Sequence, residues 1–506
     1  MAAGAPPRRP GSGVARGRRA LPAHHQPEAV VVSHSAPSAP GRRSTRRGFR
    51  PDVTTVLAVG LPVLCALALL LVQAPGALDA DHPPTRVALT RATLVCPSAV
   101  EDADDVALTS AADDAQGQVQ VGLGDELRTA DLAAGRVTTV SGLTGPAAVA
   151  GEDETAPGLV AGRFGGREPT AVACSAPAPH AWFTGVGAGA GHTSVLELAN
   201  PDSGTAVADI TVYGRGGVVD APRLRGVSVP GGTSVRLDLG SVIPRRDELA
   251  IEVVASRGRL GASVLDRYDE VGAAELTQDW LPAQAEPATD NLLMGLAPGG
   301  GRRTLVVANG TDDEVRADVR VVTDDSVFAP KGLHEIRIAP QSVQRVAVSH
   351  VLGPAISDGA TGLLVTATAP VTATLRSFVE GDLSHAVADQ TLDGPATVLL
   401  PEGGKGVAKT VQLAGATRTG AVTVVARSAS GQELDSTRVD ITPDRGVTVK
   451  LPADAVLVTV TPERTTLAGA VLVSGKGKGR AKGAAVVPLT TPELNGLVPD
   501  VRPGLP

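Results

Sequence analysis

Aromatic side chains are nearly missing from this chain: two Trp, two Tyr and five Phe stand among 506 residues. A surface that reads sugars or bases by ring stacking needs several exposed rings close together, so that class of binder has little to work with. Cysteine is almost as scarce, with three in all. That excludes a thiolate zinc ribbon, a CxxC redox pair and a disulfide-dense scaffold. No HExxH zinc helix, GxSxG nucleophile elbow or calcium-loop pattern occurs, and each of those chemistries needs its residues at fixed spacing on a defined turn or helix. No catalytic, cofactor-binding or metal-ligating residue is assigned, and no cofactor is implied. The residues beyond the first fifty carry six histidines, His82, His180, His192, His334, His350 and His385, scattered without ligand spacing.

The near misses have plainer readings. Gly403 to Thr410 lacks the second glycine of a phosphate-binding loop, with Ala408 in its place, and leads into a strand where a helix must begin. The glycine run Gly185 to Gly191 also precedes a strand and reads as a flexible hinge. Lys476, Lys478, Arg480 and Lys482 make a basic Gly-rich loop, which suits a solvated hairpin tip or contact with an anionic envelope polymer.

Acid is the next absence. Residues 1–50 hold ten arginines against Glu28 alone, a charge of +9, so the remainder carries -16 within a whole-chain charge of -7. Such a leader has too little apolar surface to offset chain entropy, and residues 1–52 are expected to be a disordered tail. Charge is then missing altogether from Val53 to Val72, twenty largely apolar residues. That length at helical rise spans a bilayer core of about 30 Å, and the Arg-rich flank stays cytoplasmic. A single transmembrane helix over 53–73 is therefore expected, with everything from about Asp79 onward outside. The basic leader serves topology and anionic lipid rather than nucleic acid. Thr45-Arg46-Arg47-Gly48-Phe49 partly resembles a twin-arginine export signal, and cleavage near Ala74-Pro75-Gly76 is the competing outcome. Cys65 falls in the apolar run as a membrane-buried thiol, which leaves Cys96 and Cys174 to form one disulfide in an oxidising compartment.

The outer part has the strand period. In Thr233 to Leu239, Val235, Leu237 and Leu239 share one face; Val315, Ala317, Val319 and Val321 alternate with Arg316, Asp318 and Arg320. These are half-buried antiparallel strands. The segments also repeat. Openings at Ser194 to Asn200, Thr304 to Asn309 and Thr410 to Gly415 are each followed by a strand and then by Pro230, Pro340 or Pro443, and Leu265 and Tyr268 stand as Leu375 and Phe378 do. A spacing near 105 residues is too long for a solenoid and fits a whole sandwich domain. Asn309-Gly310-Thr311, formally a glycosylation pattern, sits in a repeat's first turn.

The expected fold is all-β: tandem immunoglobulin-like β-sandwich domains after one N-terminal transmembrane helix. Its divisions are an N-terminal β module with the disulfide at 85–185, sandwiches at 190–284, 290–395 and 396–487, and an extended Pro-rich tail at 488–506. The 85–185 segment either folds alone or pairs its strands into the next repeat. His180, Trp182 and Phe183 form a packed cluster near Cys174, and Trp280 plugs a domain boundary. Set out in a row, the sandwiches reach on the order of 100 Å from the membrane.

The lysine-poor composition, the Arg-rich leader with its single span, Cys96-Pro97, Cys174, Ala181-Trp182-Phe183 and Leu198-Ala199-Asn200-Pro201 together resemble actinobacterial membrane-anchored or secreted families of unknown function. That resemblance implies a cell-envelope protein with β-rich extracytoplasmic domains, and supplies no catalytic residue. The leading expectation is a non-enzymatic scaffold or binding module for an envelope protein or cell-wall polymer. The alternative is an enzyme, or an enzyme accessory of envelope metabolism, with its site between domains.

Overall fold

The computed structural model describes residues 60–65, 67, 84–165, 169–269, 276–284, 286–403, 406–475 and 483–498. The chain divides into two units, 1–81 and 82–506. Of the first, residues 60–65 and 67 are helical. Among the described residues no helix is long and apolar enough to cross a membrane. The ends of the expected span, Val53 and Val72, the leader, the basic loop at 476–482 and residues 499–506 lie outside them.

The second unit is all-β: besides a two-stranded ribbon, its described strands build four two-layered sandwiches, two from pairs of four-stranded sheets and two from continuous sheets of nine and eight strands folded into two layers. The fourth sandwich shows the plan. Its strands are Ala396–Leu399, Val407–Ala414, Gly420–Arg427, Glu433–Ile441, Val447–Leu451, Leu457–Glu463, Ala468–Gly475 and Gly483–Pro488. Numbered one to eight within the sandwich, they form one sheet in the order 1-6-3-4 and a second in the order 5-2-7-8. Val398, Val424 and Val460 of one sheet meet Val411, Val471 and Val487 of the other in one core. This is what alternating apolar residues dictate: each sheet buries its apolar face against its partner.

The same two orders recur in the other three. One sandwich runs from His180–Ala188 to Thr277–Leu281, with its fourth strand broken into Gly217–Val219 and Val227–Val229. The next runs from Ala288–Met294 to Asp382–Val387. In it a single 20-residue strand, Ala360–Val379, serves as both sixth and seventh, pairing in the first layer through Ala367 and once more at Val371, and in the second from Thr372. Pro370, which cannot donate to a ladder, falls at that crossing.

The segment expected to be a separate module is a fourth copy and stands first in the chain. Its eight strands, from Arg91–Cys96 to Thr170–Ala173, repeat both orders in sheets of their own. Cys96 closes its first strand and Cys174 directly follows its eighth, and their disulfide joins the two ends inside the core. This copy has no counterpart of Pro230, Pro340 and Pro443. The opening motifs of the repeat lie on second strands, so each sandwich begins one strand earlier than its motif. His180–Ala188 is thus a first strand, and the boundary lies before 180 rather than near 190. The glycine run beside it is a packed hairpin between the sheets: a Cβ at Gly187 would lie 2.5 Å from the His192 ring.

Two markers have a shared role. Asn200 and Asn309 end equivalent second strands, and each buried amide donates to carbonyls of the following turn and of the fourth strand. Asn309 therefore acts as a turn clamp.

The sandwiches do not make an extended row. Val95 of the first packs so closely on the second that a Cβ at Gly261 would lie 2.5 Å from it, and Trp280 of the second packs on Val100 and Ala103 of the first. Polar and aromatic groups join the second to the third, as described below. Met294, Val322 and Val379 of the third meet Ala414, Leu472 and Val486 of the fourth. The cycle closes where Ala107 and Val160 of the first meet Leu399 and Leu457 of the fourth. The expected loose tail seals it again, because Asn495–Val498 pairs antiparallel with Thr85–Ala88. Apolar surface left on the outer faces of four sandwiches drives this closure, and a row would leave two of those faces in water.

Candidate functional site

One cross-strand pair between strands two and seven faces inward in every sandwich and carries a buried ionisable residue. The pairs are Val106 with Arg163, Ser194 with Asp266, Arg303 with Ser377, and Lys409 with Val473. Arg163, Asp266, Arg303 and Lys409 are all 2% exposed or less. The cations are held by backbone carbonyls. Arg163 donates to Ala103, Leu143 and Gly145; Arg303 to Ala297 and Gly299; Lys409 to Pro401, Ala453 and Ala455. In the first and fourth sandwiches this ties the loop after strand one to the loop after strand five. Burial lowers the Lys409 amine to about 8, with Asp454 and Glu402 opposing, and lowers the Arg163 guanidinium to about 10.

The second sandwich reverses the sign. Asp266 accepts from the Ser194 hydroxyl at 2.5 Å, lies 2.8 Å from His192 Nε2, and lies 3.0 Å from His385 Nε2 of the third sandwich. His385 Nδ1 is 3.6 Å from Asp279. Burial alone would raise the Asp266 carboxyl, but the two imidazoles hold it well below the usual carboxylate range. Burial lifts Asp279 to about 6. Burial also opposes charge on His385, yet Asp266 and Asp279 together raise it to about 9.

Beside this cluster Arg376 of the third sandwich donates to Glu248 at 2.7 Å and to the Gly185 carbonyl at 3.2 Å, and lies 5.5 Å from the Tyr268 ring centroid. Arg345 approaches the same Glu248 oxygen at 3.3 Å. Glu248 has φ 55, a backbone strain held by these contacts. Trp182 belongs here rather than beside the disulfide: it stacks on Tyr213 at 5.1 Å and meets Val306 and Ala308 of the third sandwich. His180 bonds Glu252 at 2.8 Å.

Ser194, His192 and Asp266 share the composition of a nucleophilic triad without its geometry. The hydroxyl hydrogen goes to Asp266, and the oxygen accepts the Gly187 N–H. No base activates it, and the residue is fully buried. Among the described residues no group of three metal-ligating side chains is found. The cluster is chemically a joint: charge-assisted bonds that fix the third sandwich on the second.

Sequence spacing could not find this joint, since His192 and His385 are 193 positions apart. One signal was within reach, in register. The match of Leu265 with Leu375 is one residue out, for Val264 and Leu375 are the equivalent core residues, paired with Leu196 and Leu305. A one-residue slip exchanges the faces of a strand, which hid the buried polar position shared by the copies.

All four sandwiches also line one cavity of about 370 Å³, through residues within 89–97, 156–162, 172–176, 259–263, 280–283, 387–390, 397–399 and 486–493. Its walls are mostly small or aliphatic. A family model matches residues 160–452, more than half of the chain, from the seventh strand of the first sandwich to the end of the fourth sandwich's fifth. The chain belongs to DUF5719, a family of unknown function. The family match thus includes the whole polar joint and parts of all four sandwiches, while the first cysteine and the closing ribbon fall outside it. No curated protein matches the chain.

Proposed function

We propose that this chain is a binding or scaffolding protein of the actinobacterial cell envelope, without catalysis of its own. The Arg-rich leader stays in the cytoplasm, one helix over 53–73 crosses the membrane, and the closed ring of sandwiches stands outside. Each sandwich is immunoglobulin-like in architecture, with a connectivity of its own: eight strands ordered 1-6-3-4 and 5-2-7-8, against 1-2-5-4 and 3-6-7 in constant immunoglobulin domains. The observation that carries the binding reading is the cavity where all four sandwiches meet. Concave, mainly apolar sites at domain junctions are where proteins take small molecules. The partner is an envelope protein or a cell-wall polymer, and nucleic acid is not among the partners.

The enzyme alternative would draw on Ser194, His192 and Asp266, but their hydrogen bonds are directed into the joint rather than toward a substrate. Crosslinking of the full chain in intact cells, followed by affinity purification, tests the proposal. A reproducible envelope partner is expected. Failure to recover one, together with turnover of an envelope substrate by the purified chain, would defeat it. Intact mass measurement decides retention: a chain still holding residues 53–73 is anchored, and one beginning near Gly76 is secreted.

A further inference from the structure

We propose that the central cavity holds the aliphatic chain, straight or isoprenoid, of an envelope lipid. The inference rests on the binding reading and names the chemistry of its ligand.

Three features of the walls select this class. The first is their composition: Leu94, Val160, Val172, Pro282 and Ala388 are partly accessible and line the cavity. Aliphatic surface of this kind gains by covering another aliphatic surface, at roughly 25 cal/mol for each Å² removed from water. The second is the placing of charge. Among the described residues Arg91, Arg259 and Glu493 are the only charged ones of the lining, and all three are exposed, so the described charge lies at the rim. Arg259 is held there by Asp202 through two bonds of 2.9 and 3.0 Å. Arg91 stands 3.8 Å from Glu152 with most of its side chain in solvent, free to meet a polar head at the mouth. The third is the shortage of rings and interior charge: the uncharged polar side chains of the lining, Thr93, Ser175, Ser263, Gln390, Thr397, Thr490 and Thr491, are hydroxyls and one amide. Among the described residues Trp280 is the only aromatic ring in the lining, and its indole N–H already donates to the Ser98 carbonyl at 3.1 Å. A sugar or nucleotide would find neither stacking rings nor a set of interior charges.

The lining also explains why the cavity stays open. Ala173 and Ala262 are short side chains in two of the walls, Gly162 and Gly261 let neighbouring strands pack closely behind the lining, and the disulfide at Cys174 fixes one wall to the first strand of its sandwich. A volume near 370 Å³ lies within the roughly 300–1,000 Å³ usual for small-molecule sites.

The test uses the full chain in the cells that make it. Two photoreactive probes are supplied separately, a diazirine fatty acid and a diazirine polyprenol, and labelled peptides are mapped by mass spectrometry. Labelling of peptides containing 89–97, 159–162 or 486–493 is expected, saturable by excess unlabelled lipid of the same kind. Whichever probe labels identifies the source, and labelling by both assigns the site to aliphatic chains at large. Two variants that add bulk to different walls, Ala173→Phe and Ala262→Phe, should each lower the cavity label about tenfold. Disulfide mass and circular dichroism show whether they fold. Label confined to the apolar run 53–72, label that excess lipid does not compete, or label unchanged in folded variants would overturn the inference. Competition needs no variant, so the test survives misfolding of either. Recovery of an envelope partner without cavity label leaves the binding reading standing and removes this one.

Discussion

The second sandwich and the fourth bury opposite charges at the same place. Lys409 is satisfied within its own domain by three carbonyls, whereas Asp266 has Ser194 and His192 on one oxygen at home and takes a partner for the other from His385 of the next domain. A buried cation surrounded by loop carbonyls closes the end of a sandwich and is finished. A buried acid in the equivalent position must recruit hydrogen-bond donors, and here recruitment becomes assembly. Changing the sign of one core residue turns an internal staple into a joint between domains.

The sharpest way to break the comparison is Asp266→Ala. It leaves two imidazoles and a hydroxyl buried without their acceptor, a class of loss that costs about 3–5 kcal/mol. Thermal unfolding should show it, and hydrogen exchange should rise in 192–200, 261–268 and 382–387 together, across two domains. An effect confined to 192–268 would show that the joint holds without the acid. Lys409→Met should cost less, about 1–3 kcal/mol, since Met fills the space while the carbonyls lose their donor. Its exchange should rise in the fourth sandwich alone.

The pH dependences should run in opposite directions. His385 is raised from 6.5 to about 9, so its contribution is complete below about 6.5 and is lost as pH rises through about 9. The carboxylates Asp266 and Asp279, the His192 imidazole on the same Asp266 and the guanidinium of Arg376 surround this site; Arg376 stays charged throughout, and the raised His385 sets the slope. Lys409 is lowered from 10.5 to about 8; its burial penalty is full below about 8 and is relieved as pH rises toward 10.5. Between pH 7 and 10, protection factors corrected for intrinsic exchange should fall at the joint and rise in the fourth sandwich. Parallel slopes would refute the contrast. The smallest effect expected is from Asn309→Ala, about 1 kcal/mol or somewhat more, because the turn carbonyls it frees lie near water.

Strand character was legible wherever one face is wet. Val315 to Val321 alternates in sequence and is buried and exposed in step. The clamp positions Asn200 and Asn309 marked the repeat because a turn with that hydrogen-bond pattern needs that side chain. First strands were not legible: Leu399 and its neighbours are buried on both faces and carry no alternation, and Trp182 and Phe183 hide in a Gly-rich stretch. The oldest cue, repeat spacing, overlooked the first sandwich, whose second strand lacks the Asn clamp and whose ends are tied by a disulfide instead. Ring closure and the joint are tertiary facts. They depend on which outer faces meet, and no local pattern in the chain records that choice.

The short ribbon of Thr85–Ala88 against Asn495–Val498 has a mechanical consequence. Thr85 pairs with Val498, so the points where the chain enters and leaves the ring lie side by side, and the two strands run in opposite directions. Tension applied between these points loads the rungs one after another, like a zip, instead of all four in shear. A pull on the far end of the chain would therefore part the ribbon at low force and reach the sandwiches only after those four rungs had opened.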